Sequence, residues 1–208
     1  MKLPDKKLMT TNRVCPILAT VFTTPKVFTP EECKLIIDTG LDHWEEKPAT
    51  VGGKENTDYR NITLFIPVEI DVGLSNKIFA EIQNLNNQGN GYQFHIIGIA
   101  ESIGLMRYQA ENIDKHGKPG HYDWHIDIGP ETIPSMRKIS FSILLNPGEY
   151  EGGELFFNTG NDALEKTSGQ EGIGTMVTFP SYMLHKVSHV TSGTRYALVG
   201  WVHGNSFI

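Results

Sequence analysis

Apolar positions recur at helical spacing twice in the first ninety residues. The first stretch opens at Thr29, whose hydroxyl can accept the N–H at Glu32 while Glu32 reaches back. Pro30 suits the first helical position, and Leu35, Ile36 and Ile37 give an apolar side before Gly40. The second runs from about Ser75 to Leu85, with Ile78, Phe79, Ile82 and Leu85 on one face, and the Asn- and Gly-rich stretch Asn86 to Gly91 stops it.

From Gln93 onward the period shortens, and strand-like runs are separated by turn residues. The runs are Phe94 to Ala100, Ile103 to Tyr108, Tyr122 to Asp127, Ile139 to Leu145, Glu154 to Phe157, Thr175 to Phe179, Leu184 to His189 and Tyr196 to Val202. Between them lie Asn146-Pro147-Gly148, Gly152-Gly153 and Ser192-Gly193. Strands this short, without intervening helices, argue against a parallel α/β sheet. They predict a mainly β fold, a sandwich or double-stranded β-helix (jelly roll), with the two helices packed on one face.

With 208 residues, 39% hydrophobic and 20% charged, the chain has material for one core and little for a second. The expectation is a single domain over 1–208, with helical and loop support in 1–92 and the β core in 93–208. No repeat or low-complexity tract divides it. Two polar segments read as loops. Pro48 to Tyr59, rich in Gly, Asn, Asp and Lys, is expected to be flexible. Ala110 to Gly120 is either a substrate-gating loop or a passive surface connection.

A formal net charge of -6 gives no general attraction to nucleic acid or anionic lipid, so neither is an expected partner. Cys15 and Cys33 are too few for a disulfide scaffold or zinc knuckle and read as inert thiols in a reducing compartment. Met1 to Arg13 lacks the apolar core of a signal peptide, and nowhere do roughly 18 apolar residues run together. A soluble, cytoplasmic protein is the expectation. Nothing bears on oligomeric state.

The chemistry concentrates late in the chain. On a strand, His125 and Asp127 in His125-Ile126-Asp127 point to the same face and can share a metal ion. A distant histidine would complete a 2-His-1-carboxylate facial triad, which suits non-haem Fe(II) and leaves positions open for O₂. Such a tripeptide is weak alone, since it recurs by chance. Here His185 lies on a late run and Arg195 follows ten residues later. Arg195 offers a planar fork for a carboxylate, with the distal carboxylate of 2-oxoglutarate as its natural partner, although a lone arginine usually sits in a rim ion pair.

Taken together, Tyr122-Asp123-Trp124-His125-Ile126-Asp127, Arg137-Lys138-Ile139-Ser140, Glu149-Tyr150-Glu151-Gly152-Gly153-Glu154-Leu155, Phe179-Pro180-Ser181-Tyr182-Met183-Leu184-His185-Lys186-Val187 and Arg195-Tyr196-Ala197-Leu198-Val199-Gly200-Trp201 carry a resemblance. Order and spacing resemble the prolyl 4-hydroxylase-like branch of the Fe(II)- and 2-oxoglutarate-dependent dioxygenases, bacterial and phage members included. Thr29-Pro30-Glu31-Glu32-Cys33 is similar to that family's usual opening. The resemblance implies that His125, Asp127 and His185 ligate iron and that Arg195 binds the 5-carboxylate of 2-oxoglutarate. It makes Tyr108 a cosubstrate contact and places Leu155, Val187 and Trp201 in the pocket wall, where ordinary core packing explains them equally well.

It implies Fe(II), 2-oxoglutarate and O₂ as cofactor and cosubstrates, with ascorbate a further candidate. The implied reaction hydroxylates an unactivated C–H bond with release of succinate and CO₂. A prolyl residue of a peptide or protein is the first candidate substrate, and a free amino acid or other small molecule the alternative. A non-catalytic metal-binding jelly roll need not keep triad, arginine and spacing together, and a zinc hydrolase would leave Arg195 without a task. Where some animal relatives place a helper tyrosine for the 5-carboxylate this chain has Leu144, so Ser142 or Tyr108 must serve if anything does. His189 would share a face with His185 on a regular strand, but the spacing to Arg195 and the Leu184-His185-Lys186-Val187 context select His185. His121 reads as a loop residue, and His203 is a further neighbour. Tyr59 and Arg60 are candidate substrate contacts, Arg60 as an anchor for a carboxylate or backbone carbonyl, or else a plain surface charge.

Overall fold

The computed structural model describes residues 20–48, 50–51, 54–158, 164–166 and 172–206. Cys15 and the Met1 to Arg13 segment lie outside them. Helix α1 (Pro30–His43) begins as its sequence dictates. Thr29 Oγ1 accepts the Glu32 N–H at 3.2 Å, and the Thr29 N–H donates to Glu32 Oε2 at 2.9 Å. Helix α2 (Val72–Asn87) starts three residues before the predicted Ser75, because the Asp71 carboxylate accepts the Leu74 N–H at 2.9 Å and caps the extra turn.

The described residues hold fifteen strands, in chain order β1 (Phe22–Thr24), β2 (Glu45–Pro48), β3 (Thr50–Val51), β4 (Lys54–Glu55), β5 (Arg60–Asn61), β6 (Thr63–Ile66), β7 (Gly104–Gln109), β8 (His121–His125), β9 (Arg137–Leu144), β10 (Tyr150–Gly152), β11 (Leu155–Asn158), β12 (Leu164–Lys166), β13 (Met176–Pro180), β14 (His185–Val187) and β15 (Val190–His203). A major antiparallel sheet has the order β1-β13-β9-β15-β7-β6-β2, with β10 also paired to β15, and a minor sheet the order β12-β11-β14-β8-β5.

Alternation along the strands sorts side chains into two layers. Leu105, Phe141, Ile143 and Leu198 of the major sheet pack with Cys33, Ile78 and Ile82, so both helices cover its outer face. Met106, Tyr108, Val177 and Phe179 of the same sheet pack with Leu155, Phe157 and Val187 of the minor sheet, so the other face closes against its partner. The mainly β fold with helices on one face is the expected one. Cys33 is buried, and burial pushes its thiol up to about 11, in keeping with inertness.

Four expectations need correction. The support region 1–92 is not only helix and loop: β1, β2, β5 and β6 are integral to the two sheets, and Pro48 to Tyr59, expected to be flexible, holds the β3–β4 pair. Phe94 to Ala100 forms no strand. The Asn86 side chain takes up both the N–H and the C=O of Phe94 (2.9 Å each), and Gly98 makes one isolated bridge to His203. Ser192-Gly193 is no turn, since both lie within β15, which pairs first with β10 and then with β7 and β9; Gly193, at φ 72°, lies against the Glu149 carbonyl, where a Cβ would sit 2.3 Å from the oxygen. The run Leu184 to His189 is broken, because β14 ends at Val187.

Thr29→Ala removes one half of the capping box, and a loss of about 1 kcal/mol is expected. Urea denaturation should show a lower midpoint at unchanged slope.

Candidate active site

Strands β8 and β14 run antiparallel with His125 directly opposite His185. Their rings meet at 4.1 Å between centroids. Asp127 lies two residues beyond the end of β8, so the same-face strand argument holds for His125 and not for its partner. Asp127 is instead brought round by its own N–H, which donates to the Ser181 carbonyl at 2.9 Å. The ligand atoms of His125, Asp127 and His185 all lie within 4.8 Å of one another. His125 Nε2 is 3.6 Å from Asp127 Oδ1, and His185 Nε2 is 3.6 Å from Oδ2.

Each imidazole is oriented by backbone. His125 Nδ1 lies 2.7 Å from the Asp123 carbonyl and His185 Nδ1 lies 2.8 Å from that of Met183. A carbonyl only accepts, so Nδ1 carries the proton and Nε2 turns its lone pair towards the shared centre. That is how metal-binding histidines are fixed. Burial, reinforced by the neighbouring His185 imidazole, pushes His125 down to about 4 against the pull of Asp127, which keeps it neutral near pH 7. Burial works to raise Asp127, but the two histidines and the Ser140 hydroxyl outweigh it, and its carboxyl sits below the usual range. Ser140 Oγ donates to Asp127 Oδ2 at 2.6 Å. With its one proton committed there, Ser140 accepts from Ser181 Oγ, 3.0 Å away. Two neutral nitrogens and one carboxylate are the donor set that suits Fe(II).

The three side chains open into a cavity of about 200 Å³ whose wall includes Met106, Tyr108, Leu155, Val187, Val199 and Trp201. Leu155, Val187, Trp201 and Tyr108, the candidates for a cosubstrate pocket, are among the residues that line this cavity. Ser142 also lines it, whereas Leu144 is buried elsewhere. Arg195 does not line the cavity. It is 1% exposed, and its guanidinium carbon lies 4.9 Å from the centre of the Tyr108 ring, which does. Its Nε and one Nη are buried with no hydrogen-bond partner, and unpaired donors of this kind call for an anion. Tyr108 donates only to the weakly accepting Met106 sulfur, at 3.4 Å. Gly153, at φ 65°, makes the room, since a Cβ there would lie 2.8 Å from Arg195 Cδ.

Two further groups were given no role from sequence. Arg137 donates to both carboxylate oxygens of Glu101 at 2.6 Å, to the Asp127 carbonyl at 2.9 Å, and lies 3.6 Å over the Trp201 ring. His203 accepts the Ala100 N–H on Nδ1, so Nε2 donates to Glu101 at 3.0 Å. The polar network holds the backbone of a ligand and the face of a wall residue. No local pattern marks Glu101.

The remaining candidates lie outside the cavity, save one. His189 is exposed, edge-on to His121 at 4.5 Å. His121 bridges the carbonyls of Pro119 (2.9 Å) and Asp58 (3.0 Å). The Tyr59 hydroxyl donates to the Trp124 carbonyl at 2.6 Å and Tyr59 does not line the cavity. Arg60 does. The 110–120 loop, a candidate gate, contributes nothing to the cavity wall; Asn61 holds it by donating to the Lys118 carbonyl at 3.0 Å.

Burial works to raise Glu101, but the hydrogen bonds from His203 and Arg137, together with the guanidinium charge of Arg137, overcome it and hold the carboxyl at about 2. A depressed carboxyl stabilises the fold above its unfolded value, here 4.5, and that contribution disappears as pH falls towards 2. The contribution is on the order of 3 kcal/mol. Urea midpoints of the wild type should therefore fall between pH 4.5 and 3, and Glu101→Gln should flatten that acid limb.

Comparison with known proteins agrees with this geometry. Residues 106–203 match the 2OG-Fe(II) oxygenase superfamily. A PKHD-type hydroxylase from Hyphomonas neptunium is 35% identical over 101 residues, 47% of this chain and 44% of that protein. One from Synechococcus is 27% identical over 161 residues, 76% of this chain and 66% of that protein. The chain thus spans less than two thirds of the length of these relatives. Among solved structures, a Pseudomonas putida prolyl-4-hydroxylase superposes with a TM-score of 0.63 at 15% identity, over 90% of this chain and 94% of that one. A Trichoplax adhaerens prolyl hydroxylase, in complex with a peptide fragment of the hypoxia inducible factor oxygen degradation domain, gives 0.67 at 16%, over 97% and 94%. Residues 106–203 are thus similar to the 2OG-Fe(II) oxygenase superfamily, and the chain as a whole shares the fold of the solved prolyl hydroxylases.

Proposed function

We propose that this chain is an Fe(II)- and 2-oxoglutarate-dependent dioxygenase with a jelly-roll core, working as one domain, that hydroxylates an unactivated C–H bond. The observation that carries the reading is the pairing of a preorganised His125, Asp127, His185 donor set with a buried arginine whose donors lack an acceptor. When bound, iron and 2-oxoglutarate supply the activation of O₂, the conversion of cosubstrate to succinate and CO₂, and the oxygen atom placed on the substrate.

The protein's own residues do the rest. His125 and His185 offer Nε2 donors locked by Asp123 and Met183. Ser140 keeps one oxygen of Asp127 occupied and the carboxylate ionised. Arg195 takes the 5-carboxylate, with Tyr108 or Ser142 as its helper. Leu155, Val187, Val199 and Trp201 exclude water from the cavity. A prolyl residue of a peptide or protein is the first substrate, in line with the prolyl hydroxylases whose fold the chain shares; a free amino acid or other small molecule is the second.

The test is anaerobic reconstitution with Fe(II) followed by titration with 2-oxoglutarate. A visible metal-to-cosubstrate charge-transfer band is expected in the wild type and absent in His125→Ala. Arg195→Lys keeps the charge and loses the fork, so the 2-oxoglutarate concentration needed for half-development of the band should rise by about tenfold or more. No band, and no succinate with any substrate, would sink the dioxygenase reading.

A further inference from the structure

Three arginines belong to this site, and two have an account. Arg137 is matched by Glu101, and Arg195 is assigned to the cosubstrate. Arg60 has neither. It stands on the edge strand β5, lining the main cavity on one side and a small surface pocket with Thr57 and Asp114 on the other. One Nη donates to the Thr50 carbonyl at 3.2 Å, and the guanidinium lies 4.4 Å over the Tyr122 ring. Its Nε is buried without an acceptor, and among the described residues no carboxylate pairs with it. The two lysines of the adjoining loop, by contrast, both have carboxylates: Lys118 is held by Asp58 at 2.6 Å and Lys115 lies 3.9 Å from Glu46.

Tyr122 in turn stacks on the His125 ring, 3.4 Å between centroids with 13° between planes. Arg60, Tyr122 and His125 therefore form a column that ends at a metal ligand. At about 200 Å³ the cavity is below the roughly 300–1,000 Å³ of ordinary ligand pockets. If the cosubstrate fills its depth, a substrate must present its reacting carbon from the open side; of the wall residues, Arg60 also lines a surface pocket and Ile126 is half-exposed. A planar fork with an unmet buried donor, next to an apolar side chain, matches a carboxylate attached close to a small apolar group.

We infer that Arg60 is the substrate-recognition residue and that it reads a carboxylate on the substrate, close to the carbon that is hydroxylated. The inference rests on the dioxygenase reading and narrows its substrate class. The carboxylate has three sources: a free amino or imino acid, the C-terminus of a peptide, or an acidic side chain beside the target residue.

Paired substrates separate these. Fe(II)-loaded enzyme with 2-oxoglutarate in air is given L-proline or L-prolinamide, Ala-Ala-Pro acid or its amide, and a capped peptide with internal Pro-Glu or Pro-Gln. Succinate is followed, with mass spectrometry of the product. In at least one pair the acid should exceed its neutral partner in kcat/KM by about tenfold or more, and that pair names the source. Arg60→Gln should erase the preference by raising KM for the acid, and Arg60→Lys should restore part of it, while the anaerobic charge-transfer band stays intact in both variants. Equal use of acid and neutral partner, a preference that survives in Arg60→Gln, or an intact band with no turnover of any acid overturns the inference. A missing band in the wild type overturns the dioxygenase reading instead.

Discussion

The pairing of His125 with His185 across β8 and β14 is the contact on which the site depends. Two imidazoles from segments sixty residues apart reach one ion only if their strands align in this register, and a slip of one residue would send one ring to the opposite face. Each strand is only a few residues long, so its own hydrogen bonds cannot set the alignment. The layer of Tyr108, Leu155, Phe157, Phe179 and Val187 sets it, because those side chains bury only when the two sheets close on each other. The apolar core of the sandwich and the geometry of the donor set are therefore one construction.

That construction encloses charge at a cost that hydrogen bonds must offset. Asp127 is answered by Ser140 and the two histidines, and Arg137 by Glu101. Among the described residues, nothing meets one or more buried donors of Arg195 and Arg60. Unmet buried donors of this kind cost stability, the usual trade at binding sites.

Legibility from sequence followed the range of the interactions. Helix α1 was readable because Thr29 and Glu32, three residues apart, settle its start between them. His125 and His185 are brought together as their motifs suggested, whereas Arg195 lies on β15 in the other sheet and outside the cavity wall. Asp127 was found by a partly wrong argument, since Ser181 and not strand alternation places it. Phe94 to Ala100 has strand-like residues, yet Asn86 takes the hydrogen bonds that a neighbouring strand would have used. Glu101 left no trace, as Arg137 and His203 lie 36 and 102 residues away. Ser192-Gly193 carries a turn signature that β10 overrides by pairing with it.

The column from Arg60 through Tyr122 to His125 also carries an electrical connection. The guanidinium contributes to the low basicity of His125. Any anion that settles on Arg60 cancels part of that field and makes the imidazole a stronger electron donor to whatever it ligates. On the proposed reading, occupancy of Arg60 and the electron donation of His125 to iron are coupled through this stack of rings.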